Sequence, residues 1–301
     1  MMHRTLFPPV AHALFAALAL LLTSCQKEVE IPEPDPIPGP GNTTPGGRDD
    51  NMALGNPSNA STSIVAINNH LIIHPQYAAG YDNSRGQSRW VSWHLNLDWK
   101  GSAARCDCFL PDPLLPTSYF IANTFHYNGT GFDRGHLCPS DDRDGSAADN
   151  AVTFYMTNIA PQAPTMNQDT WFRLEAFARD LATDGNELYI VAGGYGEGGT
   201  GSQGGTTTHI ANGTIAVPAR YWKVLLIIPD GDNDLDRIST DGARLIAVDM
   251  PNSGTATALP WHAYRTTVDA IEQSTGLDLF SNLPFDLQEQ LENEVDAGVV
   301  W

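Results

Sequence analysis

The chain has 301 residues, 42% hydrophobic and 17% charged, a composition that fits neither a disordered polyampholyte nor a coiled coil and leaves length for a sizeable core. Lysine and arginine number 16 against 35 aspartates and glutamates, a net charge of −19. A fold that wraps nucleic acid passively on a basic surface does not fit that balance, so work on phosphates would need a local arginine cluster or a bound metal.

In chain order, the first feature is an apolar run from Leu6 to Leu22 behind His3 and Arg4. It is short for a membrane span and placed as the core of an export signal. It closes on Leu22-Thr23-Ser24-Cys25, which resembles a bacterial lipoprotein box. That resemblance implies cleavage before Cys25, lipidation of its sulfur, and an exported lipoprotein held at a membrane, facing the periplasm or the cell surface. The lipoprotein signal peptide would then be residues 1–24; the alternative is an ordinary secretory signal with an incidental cysteine. Residues 25–58 read as an acidic Pro/Gly-rich tether: Pro32, Pro34, Pro36, Pro38 and Pro40 alternate with other residues, then come Gly46 and Gly47. Such a stretch favours extended polyproline geometry and cannot bury a core. The globular domain is expected over 59–301.

Within that domain the pattern is mixed α and β. Arg89–Leu95 alternates as a strand does, and Leu188–Ala192, Val224–Ile228 and Arg244–Val248 are short apolar runs of buried-strand type. Trp171, Leu174, Ala178 and Leu181 recur at helical spacing, with Asp184-Gly185 as the stop, and Val268, Ile271 and Thr275-Gly276 predict a shorter helix. The glycines of 193–205 lack the flanking residues of a phosphate-cradling loop and read as a surface loop.

The chemistry concentrates in three stretches. Gly131–Ser140 places Arg134 and His136 in a loop between strand-like segments, Met156–Gln162 contains Asn158, and Met166–Glu175 contains Asn167 and Glu175. In a helix over 167–183, Asn167, Trp171, Glu175 and Arg179 share one face, with Asn167 and Glu175 about 12 Å apart along the axis at ~1.5 Å per residue. At that separation one side chain can ligate an ion while the other holds a coordinated water. A neutral imidazole can take a proton from water, a hard cation needs few protein oxygens, and arginine matches a phosphoryl group in shape and charge. Together they suit phosphodiester hydrolysis.

The stretches DRGHLCPS, MTNIAPQ and MNQDTWFRLE resemble the signature of the DNA/RNA non-specific endonucleases, the ββα-metal (His-Me finger) nucleases. Ala104-Arg105 with Phe109 and Asp112-Pro113, Tyr221–Val224, Met250-Pro251-Asn252 and Thr275–Phe280 extend the similarity over roughly 75–285. The resemblance implies an α+β fold: a mixed or antiparallel sheet core flanked by helices, with a ββα-metal finger. It implies little sequence preference on DNA and RNA, and 5′-phosphate products. His136 would be the general base that activates water, Asn167 the direct ligand of Mg2+ (Mn2+ being the alternative ion), and Glu175 a ligand through water. The metal would stabilise the departing 3′-oxygen. Arg105 would stabilise the phosphate, Arg134 and Arg179 would support substrate and metal site, and Asn158 would order the loop near His136.

Cys106, Cys108 and Cys138 lie outside that pattern. A bridge between Cys106 and Cys108 would close a small ring, so Cys138 paired with one of them is expected. Alternatively, Cys106, Cys108, His136 and Cys138 could hold zinc in a structural lipoprotein. A third reading is a catalytically inactive surface binding protein on a nuclease scaffold. Arg85, Arg89 and Arg143 either track a substrate strand or are solvated.

Overall fold

The computed structural model describes residues 50–240 and 242–300. The leader, Cys25 and the proline-rich run up to residue 49 lie outside the described residues, among which no helix is long and apolar enough to cross a membrane.

The strands are β1 (His70–Ile73), β2 (Ala78–Asp82), β3 (Gln87–Leu95), β4 (Asp133–His136), β5 (Ile159–Gln162), β6 (Asn186–Tyr195), β7 (His209–Ile210), β8 (Ile215–Ala216), β9 (Arg220–Pro229), β10 (Arg244–Pro251) and β11 (Arg265–Thr266). The helices are α1 (Ala147–Val152), α2 (Phe172–Thr183), α3 (Asp234–Thr240), α4 (Val268–Thr275) and α5 (Phe285–Glu292). Seven strands form one sheet in the order β1-β2-β3-β6-β9-β10-β11, with antiparallel pairing throughout. The fold is α+β, as expected, and its main sheet is antiparallel rather than mixed.

Each predicted strand lies inside an observed one. The two central strands, β6 and β9, are buried on both faces along nearly their whole length, which is why they read as continuous apolar runs rather than alternations. In β3 the alternation divides the side chains: Val91, Trp93 and Leu95 enter one core, Trp90 the other. The first core packs under α2 through Leu174, Phe177, Ala178 and Leu181. Burying Leu174 and Phe177 stabilises by about 1.5–3 kcal/mol each. The second core packs α4 and the segment up to Leu283 on the opposite face of the sheet. Gly276, at φ 68°, ends α4 in the left-handed conformation glycine adopts freely.

The folded body begins earlier than residue 59. Leu54 is buried in the second core, Asn51 donates to the Pro75 carbonyl at 2.8 Å and accepts the His94 N–H at 3.0 Å, and Ser58 accepts the Trp90 indole N–H at 2.8 Å. Small polar residues look like linker by composition, but here their side chains cap strand backbone and a buried tryptophan.

The cysteine pairing differs from the expectation. Cys106 bonds to Cys108 and Cys138 is a free, buried thiol. Asp107 takes a positive φ of 50°, which folds the chain back and leaves the flanking Cα atoms 5.1 Å apart, within reach of a disulfide. Cys138 lies in the first core, where burial pushes its thiol up to about 12. Peptide mapping under non-reducing conditions should find the Cys106–Cys108 link. Cys138 should resist alkylation in the native protein and react on unfolding; rapid native labelling would contradict this placement.

Candidate active site

The antiparallel hairpin β4–β5 pairs Asp133 with Gln162 and His136 with Ile159, and the chain then enters a π-helical turn, Met166–Trp171, that runs into α2. This is the ββα finger. A methyl group on Gly135 would fall 2.0–2.5 Å from the Gln162 side chain, so glycine lets that buried side chain lie across the hairpin.

His136 sits at the end of β4, 9% exposed. Its ring meets Phe154 edge-on at 4.7 Å and Phe109 at 5.8 Å. The same two phenylalanines carry the arginines: the Arg134 guanidinium lies 4.3 Å from the Phe109 centroid and that of Arg105 4.9 Å from Phe154. Burial, followed by the Arg105 and Arg134 charges, pushes His136 down to about 3, so the ring is neutral. Its buried Nε2 has no hydrogen-bond partner among the described residues. The neutral ring thus shares its aromatic surroundings with two guanidiniums.

Asn158 shapes the turn that follows. Its Oδ1 accepts the Cys138 N–H at 2.9 Å and its Nδ2 donates to the carbonyls of Cys138 and Thr153, both at 2.8 Å. Fully buried and fully engaged, it orders the His136 loop and is closed to substrate. Arg105 is held by Ser140 Oγ at 2.7 Å and Asp107 at 2.8 Å. The Cys106 N–H donates to Asn150 Oδ1 at 2.9 Å, so the short disulfide lies within a turn already tied to α1. The zinc reading fails here, because two of its four ligands are spent in that bond.

On the helical side, Asn167 donates from Nδ2 to Asp133 Oδ2 at 2.9 Å, which leaves its amide oxygen as the end available to a ligand. Glu175 accepts from Lys223 Nζ at 3.1 Å. Burial pushes the Glu175 carboxyl up against the opposing pull of Lys223 and Arg179. Arg179 pairs with Asp142 at 3.0 Å, and Asp142 also accepts the Trp93 indole N–H at 3.0 Å. Trp171, Glu175 and Arg179 therefore share one edge of the helix, as their spacing predicts. Asn167 precedes them across the widened π turn, and such turns are frequent at functional sites. An amide oxygen and a carboxylate are both hard donors of the kind that hold divalent cations, directly or through water.

Lys223 escaped the sequence reading. It is 1% exposed, packed 4.3 Å from the Trp171 ring and 5.2 Å from Trp93. The available signal was a lysine just before an apolar run in a strand buried on both faces. Asp142 and Asp133 were likewise visible only as negative charge. Arg143 is neither solvated nor a substrate contact: fully buried, it donates to the Gln76 and His94 carbonyls, both at 2.8 Å, and lies over the Trp99 ring at 4.0 Å. Arg85 and Arg89 line a cavity of about 170 Å³ with Tyr195 and Thr275, beside α4 rather than at the finger. A buried cluster of His94, Glu187 and Asp234 already holds a cation, since Arg237 pairs with both carboxylates.

The comparisons agree with this geometry. The DNA/RNA non-specific endonuclease family matches residues 54–286, and the chain belongs to that family of nucleases. A nuclease of Nostoc sp. is 40% identical over 245 residues, covering 81% of this chain and 85% of that protein. Human mitochondrial endonuclease G is 28% identical over 211 residues, covering 69% and 68%. Among solved structures, a chain of the EndoG/EndoGI complex matches with a TM-score of 0.63 at 23% identity, covering 77% of this chain and 91% of that one.

Two outcomes follow. Lys223→Met keeps the packing between the tryptophans but strips Glu175 of its cation, and should cost roughly 3–5 kcal/mol. Hydrolysis at neutral pH should fall at least tenfold and recover partly at higher pH, as a more basic Glu175 ionises. Unchanged stability and rate would remove Lys223 from the site. For His136 the folded value of about 3 lies below the unfolded value of about 6.5. Between these limits the unfolded chain binds the proton and the folded one does not, so this contribution is full above pH 6.5 and is lost as pH falls towards 3. Urea midpoints should therefore drop more between pH 7.5 and 5 in the wild type than in His136→Gln.

Proposed function

We propose that this nuclease hydrolyses phosphodiester bonds of DNA and RNA with little sequence preference, using His136 as general base on water and Mg2+ (or Mn2+) held by Asn167. The observation that supports this reading is the neutral His136 ring, packed on the same two phenylalanines that carry the Arg105 and Arg134 guanidiniums. A phosphodiester seated between the two guanidiniums would offset both charges. The imidazole would then gain proton affinity when substrate is present, which is when a base is needed. Arg105 and Arg134 act on the phosphate oxygens, where bidentate donors match the developing charge. Asn167 would hold the metal through its amide oxygen, and Glu175, held by Lys223, would hold it through water. When bound, the ion supplies Lewis-acid stabilisation of the leaving 3′-oxygen, which gives 5′-phosphate ends. Arg179 takes part through Asp142 and Glu175, not by touching substrate.

We further propose that the protein is an exported bacterial lipoprotein, anchored through Cys25 with the domain held off the membrane by the proline-rich tether. The chain's net −19 accords with weak, salt-sensitive contact with substrate and fast turnover.

The test incubates the protein with plasmid DNA and with RNA in Mg2+, Mn2+ or EDTA, beside His136→Ala. Cutting of both substrates that disappears in EDTA, falls by at least a hundredfold in the variant and leaves 5′-phosphate ends is expected. A folded protein that cuts neither substrate with either ion would leave the binding-protein reading in its place.

A further inference from the structure

On the sheet face away from the finger, three carboxylates converge. Asp269 and Glu272 stand on α4, Glu292 ends α5, and ligand oxygens of all three lie within 4.8 Å of one another. Asp269 is exposed and Glu272 half-buried, so the group opens to water on one side. Glu292 closes the other side: it is 6% exposed, and its buried Oε1 has no hydrogen-bond partner among the described residues. Among the described residues, no lysine or arginine nitrogen lies within 4.0 Å of any of the three carboxylates. The other charged groups acting on Glu292 are Asp278 and Glu289, and both add to the repulsion. Glu272 Oε1 accepts the Leu279 N–H at 2.6 Å, which fixes that carboxylate in place.

Other buried glutamates among the described residues are answered by a cation, Glu175 by Lys223 and Glu187 by Arg237. A buried carboxylate oxygen with no donor, facing two more carboxylates, is costly unless a proton or a cation joins it. Burial and then the neighbouring acids push Glu292 up to about 7, so a proton alone neutralises it only in part at neutral pH.

We propose that Asp269, Glu272 and Glu292 form a second cation site, separate from the catalytic metal, that takes Ca2+ and ties α5 to α4. Three carboxylates of unequal exposure, with waters filling the open side, suit the irregular six- to eight-oxygen shell of Ca2+ better than the strict octahedron of Mg2+. The ion replaces mutual repulsion with attraction across the two helices. Its role is structural and does not depend on the proposed hydrolytic mechanism.

The experiment titrates Ca2+ into the full chain carrying Asn167→Ala, which disables the proposed catalytic metal site, and reads binding by calorimetry and melting temperature. One Ca2+ per chain is expected, with Kd below about 1 mM, a rise of several degrees in Tm, and weaker binding of Mg2+. Adding Glu292→Gln should abolish the binding and the Tm rise. Glu272→Gln, at a half-exposed position, provides the same test if the first variant folds poorly. No Ca2+ binding and no Tm shift in the parent would overturn the site and leave a proton as the neutralising partner. Binding that survives both substitutions would place the ion elsewhere and overturn it equally.

Discussion

The contact on which the catalytic half depends is the buried ion pair between Lys223 and Glu175. An ammonium inside a sheet face is tolerated only with a full set of partners, and here it has a carboxylate at 3.1 Å and two tryptophan rings. Lys223 belongs to a central strand and Glu175 to the helix of the finger, so the pair fixes α2 over β9 in position and rotation. The chain of contacts continues through Arg179 to Asp142, and from Asp142 to the Trp93 indole on β3. One face of α2 is thereby anchored to two strands of the main sheet, and the finger inherits their rigidity.

A second layer of order comes from groups that never touch substrate. Asn158 uses its whole amide to hold the turn after His136, and Phe109 and Phe154 give His136, Arg105 and Arg134 a common aromatic floor. The result is local: two guanidiniums and a neutral imidazole gather in a molecule whose overall charge is strongly negative. Global charge sets the long-range field, while catalysis is decided within a few ångströms, where burial and paired arginines dominate. The −19 balance is therefore compatible with a nuclease, although it would exclude a protein that stores or packages nucleic acid.

The two faces of the sheet carry different kinds of polar group. Towards the finger, buried charges are paired and serve the site. On the other face, Glu187 is answered by Arg237, whereas Glu292 has no ion-pair counterpart among the described residues, which is why a cation from solution is proposed there. Arg143, fully buried over Trp99 and donating to the Gln76 and His94 carbonyls, shows that an arginine in an acidic stretch can be structural.

The sequence by itself determined the α+β class, the core strands and the helix carrying Glu175, and it singled out His136, Asn158, Asn167 and Glu175 as candidates. These were legible because strand and helix periods are local, and because the four candidates lie in three short stretches, whereas Arg105 entered only through the family resemblance. The tertiary structure decided what depends on contacts between distant parts of the chain. It brought Lys223 from β9 to Glu175 some fifty residues away (48 by sequence separation) and buried Arg143. It gave residues 50–58 strands to cap, and it turned Asp107 so that Cys106 meets Cys108 while Cys138 stays in the core. Burial and partner identity arise only when elements pack, and a residue's charge or spacing in the chain does not carry them.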